Sequence, residues 1–449
     1  MRTPNSGESA TDAATSRRKF IALAGAAGSV ALAGCGGDGG DGGDGGDGGD
    51  GGGGDGGGGD GGGGDGGGDG GSTDGGMGSV TVASLNPING AYSSLGPGQR
   101  AGAELAVQQI NNNDEYDFEF DPVYGDTETE TGAAQSEAQR VVQEDGADFV
   151  FGAISSSVAL SLNEFANQAE FIYFPGGAAV PITGSACNEW VFRFETNTAQ
   201  IAEAISAYTV NNLGTNVWFH YADYAYGESV YDRVSGRMAS ASDDYTEVGA
   251  STSELGSSNF GSFISEISNS DADVVVLGMT GGDLINFTAQ AADQGLKDDV
   301  AIVGPTQSFQ VVRGATGGSS VGTFGGVRYL PKLETGDNQQ FVEAFQSENE
   351  SPPDNFARVG YDSFRLIAKG IAKAGSSDPG DVRDALEGGT FTTVLGDITL
   401  REGDHQATNP TWMGELVAGE GEMADVELLD QVEGDNTLPP ADELGCEMG

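Results

Sequence analysis

The sequence predicts an α/β fold with parallel sheets, divided between two lobes. Short apolar runs recur along residues 79–449, and several are continuous, as in strands buried on both faces of a parallel sheet. Helical patterns lie between the runs; Ala103, Val107 and Ile110, for example, share one helix face. Residues 79–449 are more than one hydrophobic core usually accommodates, so we expect two lobes. The predicted strands are Val80–Leu85, Val123–Tyr124, Phe149–Phe151, Ile172–Phe174, Val217–Tyr221, Val274–Leu277, Ala301–Val303 and Val327–Leu330.

Residues 1–34 have the pattern of an export signal. Arg17 and Arg18 precede a mild apolar run that extends from residue 20 to residue 34, as in twin-arginine signals. That run is shorter than the ~20 residues that span a bilayer. Leu32–Cys35 resembles a lipobox, so Cys35 is the predicted lipidation site. The alternative is a cysteine left beside an ordinary cleavage site.

Residues 35–78 are predicted to form a disordered tether. Positions 36–78 contain 30 Gly and 10 Asp and offer almost no apolar side chains to bury. A flexible chain of this length has an end-to-end distance of roughly 35 Å. A calcium-binding repeat array is the alternative, but such repeats need an apolar residue in each nonapeptide, which is absent here.

The acidity of the chain belongs mainly to its body. The formal net charge is −50, and residues 79–449 carry 57 acidic and 15 basic side chains. Such a surface repels phosphate backbones, so we expect no nucleic-acid partner. It indicates a halophilic protein kept hydrated in concentrated salt, or alternatively an acidic face for a cationic ligand.

No catalytic or metal site is predicted. His220 and His405 are far apart and lack partners at metal-ligand spacing. The motifs HExxH and GxxxxGK[ST] are absent from the sequence. We therefore expect no enzyme activity, no metal and no cofactor. Cys187 and Cys446 form an even pair in an exported domain, which favours a disulfide over a thiol nucleophile.

Several sequence blocks resemble one family. Ser84–Tyr92, followed by Gly96, Gly98 and Gly102–Ala106, resembles the opening of the type I periplasmic-binding-protein fold, in its branched-chain amino acid, amide and urea-binding group. Further blocks follow in the order of that family: Tyr124–Asp126, Phe151–Ser156, Pro175–Ala178, Phe192–Arg193, Tyr224–Glu228, Gln290–Ala291, Gly295–Lys297 and Val303–Pro305. The resemblance covers residues from about 79 to about 420.

The resemblance implies two Rossmann-like lobes joined by a three-crossing hinge. The expected lobe one comprises residues 79–196 and 330–395, and lobe two comprises 197–329 and 396–449. The ligand would lie in the cleft between them, near the carboxyl ends of the strands. The lobes would close around it by a hinge motion.

The resemblance also implies two loops that hold the ligand's carboxylate. The first contains Ser155 and Ser156, at the end of a predicted strand and the start of a helix. The second contains Gly177 and Ala178. Hydroxyls and helix N-terminal amides can donate to an anion there. The alternative for the two serines is ordinary N-capping, which is compatible with binding.

Aromatic cleft positions of the family correspond to Tyr92, Tyr226 and Tyr361. The chain departs from the family after Gly304–Pro305, where amino-acid-binding relatives have a carboxylate that receives the ligand's ammonium. Thr306 stands there instead. Asp283 is an alternative source of negative charge, although its position indicates a helix cap. The missing carboxylate weighs against a zwitterionic amino acid, and urea, a short amide or a carboxylate without an amine would fit Thr306 and Gln307 equally well.

The predicted function is capture of a small polar ligand, such as a branched-chain or other amino acid, a short amide or urea. The resemblance implies delivery to the permease and ATPase subunits of an ABC importer, with the protein exported and lipid-anchored to the outer face of the cytoplasmic membrane. The alternatives are a ligand-sensing receptor domain of the same fold and an exported hydrolase.

Overall fold

A computed structural model describes residues 77–448 as alternating strands and helices. The strands are β1 Gly78–Asn86, β2 Phe118–Asp126, β3 Phe149–Gly152, β4 Ile172–Pro175, β5 Asn216–Ala222, β6 Thr246–Ser253, β7 Val274–Gly278, β8 Ala301–Gly304, β9 Phe324–Val327, β10 Thr390–Thr393, β11 Gly396–Thr399, β12 Thr411–Val417 and β13 Asp425–Val432. The α-helices are α1 Gly96–Asn111, α2 Thr131–Gln143, α3 Ser156–Ala169, α4 Thr198–Asn212, α5 Ala225–Ala241, α6 Gly261–Ser268, α7 Gly281–Asp293, α8 Gln310–Thr316, α9 Asn338–Glu348, α10 Asn355–Ala374 and α11 Pro379–Leu386. The predicted signal, Cys35 and nearly all of the predicted tether lie outside the described residues.

Sheet one has four parallel strands in the order β2-β1-β3-β4. Val82 pairs with Phe149, and Phe149 pairs with Ile172. These three side chains are fully buried, because helices cover both faces of the sheet. The predicted parallel α/β class is therefore confirmed for this half of the molecule.

Sheet two has seven strands in the order β13-β12-β9-β8-β7-β5-β6. The five strands from β9 to β6 are parallel, but β12 runs antiparallel to β9, and β13 runs antiparallel to β12. The apolar runs of the sequence predict parallel strands alone, and they do not predict β6, β12 or β13. Strands β6 and β13 are largely exposed, so they lack the continuous apolar runs of the buried strands.

Several predicted boundaries differ from the observed elements; the predicted strand Val123–Tyr124, for example, is observed as Phe118–Asp126. The predicted strand Val327–Leu330 is observed as Phe324–Val327. The expected lobe boundary between residues 395 and 396 falls inside an antiparallel hairpin, in which β10 pairs with β11. Phe391 and Ile398 of this hairpin both pack into the hydrophobic core that contains sheet one. The lobe ranges themselves stay a prediction.

Segments that lead from one sheet to the other lie side by side. Arg193 lies in the segment after β4, and Gln406 lies in the segment before β12. These two residues form an isolated parallel β-bridge. The Arg193 amide donates to His405 O at 3.0 Å, and the Ala407 amide donates to Arg193 O at 2.9 Å. A third segment leaves β9 at Val327 and enters the region of α9 and α10. This arrangement agrees with the predicted hinge.

Helix α10 lies directly against α1 because glycines remove side chains at the contact. A Cβ atom at Gly102 would come within 1.9 Å of Ala357 O, and one at Gly360 would come within 2.3 Å of Gln99 O. The start of α10 is capped by Asp354, whose carboxylate accepts the Ala357 amide at 2.8 Å. The helix is thus held in a defined position beside sheet one.

The C-terminal segment returns from sheet two to the first half of the chain. After β13, Thr437 accepts a hydrogen bond from Gln200 Nε2 at 3.2 Å. Leu444 then packs against Val180 and Ala199. Cys446 forms a disulfide with Cys187, with 5.7 Å between their Cα atoms. We call residues 433–448 the strap, because they link sheet two covalently to the loop that follows β4.

Within residues 77–448, no helix is long and apolar enough to cross a membrane. The same part of the chain contains no group of three or more His, Cys, Asp or Glu side chains placed to hold a metal ion.

Candidate functional site

A small cavity lies where loops from the two sheets meet; the space between its walls is about 260 Å³, part of which is open to solvent. Five aromatic side chains form its walls: Tyr92, Tyr224, Tyr226, Phe309 and Phe356. The remaining lining residues are Ile154, Gly176, Ala178, Thr280, Thr306 and Arg328. The cavity therefore offers apolar ring faces, several hydroxyl groups and one guanidinium.

The cavity residues follow the carboxyl ends of parallel strands. In sheet one, β3 ends at Gly152 and β4 ends at Pro175, shortly before Ile154 and Gly176. In sheet two, four strands end one or two residues before Tyr224, Thr280, Thr306 and Arg328. Open α/β sheets generally bind ligands at this edge. The predicted position of the cleft agrees with the observed cavity.

Three tyrosines supply hydroxyl groups to the cavity. The Tyr92 and Tyr224 hydroxyls contact each other directly, and the Tyr224 and Tyr226 rings have centroids 6.1 Å apart. Burial raises the pKa of all three phenols above the ordinary value. These groups are therefore neutral at physiological pH and can donate as well as accept hydrogen bonds.

Arg328 is the charged residue of the cavity lining, and it is only 2% exposed. Its Nη1 donates to Glu195 Oε1 at 2.6 Å, and its Nη2 lies 3.4 Å from the Tyr226 hydroxyl. Asn355 Nδ2 donates to the other oxygen of Glu195 at 3.1 Å. Arg328 Cζ also lies 5.3 Å from the centroid of the Phe309 ring. Glu195 and the Phe309 ring therefore fix the position of the Arg328 guanidinium.

The residues that define the cavity in the structure include no carboxylate. Thr306 lines it, and its hydroxyl donates to Met279 O at 2.9 Å. The Thr280 hydroxyl is buried without a hydrogen-bond partner among the described residues. Asp283 lies outside the lining; both of its oxygens accept the Gly256 amide at 3.1 Å, and burial raises its pKa to about 6. Asp283 therefore holds the loop that contains Gly256, which follows β6, and does not line the cavity.

Four of the predicted ligand-binding residues meet in the cavity: Tyr92, Ala178, Tyr226 and Thr306. They come from widely separated parts of the chain, and strand-end loops bring them together. Their assignment as ligand contacts stays a prediction, since no ligand contact is described.

Ser155, Ser156 and Gly177 lie behind the cavity wall rather than in it. Ser155 is at the N-cap position of α3. Ser156 Oγ accepts the Ala179 amide at 3.1 Å, and Gly177 O accepts from Arg193 Nη1 at 3.3 Å. These residues hold the backbone of the loop that carries Ala178. The expected contact between the serine hydroxyls and a ligand stays a prediction, and the structure shows that Ser156 supports the loop.

Arg193 is the main support of this loop. It is fully buried, and its Nη1 donates to Ala179 O at 2.6 Å. Its Nε donates to Gln406 Oε1 at 2.5 Å, which links the loop to the hinge segment before β12. The Phe192–Arg193 block of the sequence therefore has a structural role close to the site.

Tyr361 does not line the cavity. It lies on α10, where its hydroxyl donates to Gln109 Oε1 at 2.6 Å. Its ring stacks on Phe341 with 4.5 Å between centroids. The sequence resemblance placed Tyr361 in an aromatic cleft position. In the structure, α10 packs against α1 so that Tyr361 lies in the hydrophobic core around sheet one.

Sequence reasoning missed Tyr224, Phe309, Arg328 and Phe356. Tyr224 belongs to the block that contains Tyr226, and only its neighbour was selected. Arg328 follows Val327 within a predicted apolar strand. A charged residue inside an apolar run indicates a buried functional group, and this signal points to Arg328. Phe309 and Phe356 carry no local signal, because only the tertiary fold brings them to the cavity.

The family model described as Periplasmic binding protein matches residues 79–421. Among curated proteins, the leucine-, isoleucine-, valine-, threonine- and alanine-binding protein of Pseudomonas aeruginosa is 26% identical over 332 residues. That alignment covers 72% of this chain and 86% of that relative.

Solved structures share the fold. An amino acid ABC transporter substrate-binding protein from Pseudomonas fluorescens superposes with a TM-score of 0.74 at 23% identity, covering 82% of this chain and 98% of that one. An ABC-transporter solute-binding protein from R. palustris, in complex with benzoate, gives a TM-score of 0.72 at 23% identity, covering 82% and 99%. At these identities the likeness concerns the fold alone.

Proposed function

The chain belongs to the periplasmic binding protein family, and on that basis we propose that it captures a small organic solute in the cavity described above and delivers it to an ABC importer. Relatives of this chain are binding proteins of transporters and not enzymes. The proposal therefore involves reversible capture and release without chemical change of the solute. The partners are the permease and ATPase subunits of the importer.

The observation that carries the proposal is the aromatic cavity at the strand ends of both sheets. The Phe309 and Phe356 rings approach edge to face with centroids 5.3 Å apart, and Tyr92 and Tyr224 meet through their hydroxyls. Aromatic walls favour a solute with an apolar body that can be enclosed on most sides. Urea lacks such a body and is therefore the weakest candidate of the predicted group.

The same lining disfavours a zwitterionic amino acid. An enclosed ammonium needs a paired negative charge, and Thr306 supplies only a hydroxyl. The Pseudomonas aeruginosa relative is named for amino acids, whereas the R. palustris protein is in complex with benzoate. We propose that this chain takes a solute without an ammonium group, and that an amino acid is the second candidate.

A thermal-shift panel tests the proposal. The purified full chain in molar salt would be mixed with 4-methylpentanoate, 4-methylpentanamide, benzoate, benzamide, leucine and urea. A ligand that binds only the native state, at 100 times its Kd, raises Tm by roughly 5 °C. If none of these compounds changes Tm, the proposed capture of a small organic solute is wrong.

We further propose that Cys35 carries a lipid anchor. The support is the Leu32–Cys35 pattern directly after an apolar run, together with membership of a family of exported proteins. Cys35→Ala would remove the acceptor thiol and release the protein from the membrane fraction into the medium. Retention of the variant in the membrane fraction would contradict the anchor.

Halophilic adaptation is a separate proposal, supported by the 57 acidic side chains of residues 79–449. Salt screens the mutual repulsion of these carboxylates, so Tm of the wild-type protein should rise steadily from 0.1 M to 3 M KCl. A Tm that is independent of KCl would favour the alternative of an acidic face for a cationic ligand.

A further inference from the structure

Arg328 lines the cavity, and in the described part of the chain one donor edge of its guanidinium is largely free of hydrogen-bond partners. A guanidinium has five N–H donors in a fixed planar arrangement, and Nε and Nη2 form one edge with two parallel N–H bonds. In Arg328, Glu195 engages Nη1. Among the described residues, Nε has no hydrogen-bond partner, and Nη2 has the Tyr226 hydroxyl alone, at 3.4 Å.

Arg328 shares its buried counter-charge with a second arginine. Glu195 is fully buried and faces two buried guanidiniums, Arg328 at 2.6 Å and Arg358 at 3.9 Å. Two further carboxylates lie nearby: Asp354 caps α10 through a backbone amide, and Asp362 acts electrostatically on Arg358. Among the described residues Arg328 forms an ion pair with Glu195 alone, so its free donor edge favours an anionic group of a ligand.

We propose that Arg328 binds the carboxylate of the ligand through its Nε and Nη2 edge, and that Glu195 positions the guanidinium for this contact. The inference rests on the proposed function and assigns its ligand class, a monocarboxylate with an apolar body and no ammonium. Two parallel N–H···O bonds to a carboxylate are both strong and selective in geometry. Asn355 holds Glu195 in place by its hydrogen bond to the second oxygen.

The hydroxyls of the lining complement this anchor. Tyr226 lies beside Arg328 Nη2, and the phenol can turn its proton toward a bound carboxylate oxygen. The aromatic walls then enclose the apolar remainder of the ligand. A neutral amide of the same shape would lose the charge-assisted bonds, and an amino acid would bury an unpaired ammonium.

Matched ligands test the inference on the wild-type protein. The Kd values of 4-methylpentanoate, 4-methylpentanamide and leucine would be measured by calorimetry in the same buffer. The amide differs from the acid in charge, and leucine differs from it only by the ammonium group. We expect the acid to bind at least about 30-fold more tightly than either, as the loss of charged hydrogen bonds predicts. The pair benzoate and benzamide repeats the comparison with an aromatic body.

Variants locate the effect at Arg328. R328Q should reduce the preference for acid over amide to within about 3-fold, and R328K should keep part of it, since lysine retains the charge without the two-donor edge. E195D keeps the negative charge but shortens the side chain that positions the guanidinium, so it should reduce the preference for acid over amide. The control R237Q removes an arginine that pairs with Glu203 on the surface, and it should leave every Kd unchanged. The ratio of acid to amide affinity reports the role of Arg328 even if the variants lose some stability.

The outcomes separate the inference from the proposed function. Amides that bind as tightly as acids, or R328Q with an unchanged preference for the acid, would overturn the role of Arg328 and leave solute capture intact. Tighter binding of leucine than of 4-methylpentanoate would overturn the assigned ligand class. Absence of binding by every compound would remove both proposals.

Discussion

The hydroxyls of Tyr92 and Tyr224 meet across the cavity, one from the segment after β1 and the other from the segment after β5. Their rings lie edge to face, with centroids 6.4 Å apart and an interplanar angle of 62°. The two residues belong to the loops of different sheets. The contact therefore joins the two sides of the cavity directly, and it must break when the cavity opens.

Removal of the Tyr224 hydroxyl should make the cavity open more readily. Tyr224→Phe keeps the ring but removes the hydrogen bond to Tyr92, which costs about 1 kcal/mol of closure. We expect a roughly 5-fold faster dissociation of the bound solute in stopped-flow measurements. Tyr221→Phe is the matched control, because Tyr221 stacks on Tyr231 away from the cavity. Equal dissociation rates for the wild-type protein and Tyr224→Phe would contradict the role of the contact.

Ser156→Ala should weaken solute binding through the loop that carries Ala178. The substitution leaves the buried Ala179 amide without its 3.1 Å acceptor, at a cost of about 1–3 kcal/mol. We expect a lower free energy of unfolding in urea and a weaker Kd. Ser161→Ala on the same helix is the control, since its hydroxyl bonds only to Val158 O. An unchanged Kd would show that the loop does not need this support.

Loss of the Cys187–Cys446 disulfide should destabilise the protein. A cross-link that closes a loop of this length contributes about 2–5 kcal/mol, mainly by restricting the unfolded chain. Cys446→Ser should lower the free energy of unfolding by that amount. Addition of a reductant should destabilise the wild-type protein and leave Cys446→Ser unaffected, and a reductant effect of equal size on both would show that another group is responsible.

His220 should make the protein sensitive to acid. The side chain is fully buried on β5 beside Phe287, and burial lowers its pKa to about 4. The unfolded chain binds the proton near pH 6.5, so this contribution to stability is present above pH 6.5 and is lost as the pH falls to about 4.

The loss at His220 amounts to roughly 2–3 kcal/mol. His220→Leu removes the titration, so the difference between the urea-unfolding free energies of the two proteins should shrink on the acid side of pH 6.5. Parallel pH profiles of the wild-type protein and the variant would contradict the assignment.

The sequence predicted the parts of the fold that depend on local pattern. Buried parallel strands such as Val274–Gly278 have continuous apolar runs, and the cavity lies after their ends, as strand order requires. The departure at Thr306 was visible in the sequence, and the structure places this residue in the cavity lining. These features can be predicted from short stretches of sequence, without information on contacts between residues far apart in the chain.

Features that depend on long-range contacts could not be predicted. Arg328 meets Glu195, which lies 133 positions earlier in the chain, and no local pattern links the two. The family resemblance placed Tyr361 in the cleft, but the direction of its side chain depends on how α10 lies on α1, which no local pattern shows. Strand β13 lies at the edge of sheet two and is exposed along most of its length, so its composition resembles that of a surface segment.

The strap has a topological consequence. The disulfide joins residues 259 positions apart, and the seven strands of sheet two lie entirely between its two cysteines. The four strands of sheet one precede Cys187. Sheet two is therefore part of a closed covalent ring, and a protease that cuts one surface loop within this ring leaves both fragments attached. A nicked molecule would migrate as one species until the disulfide is reduced.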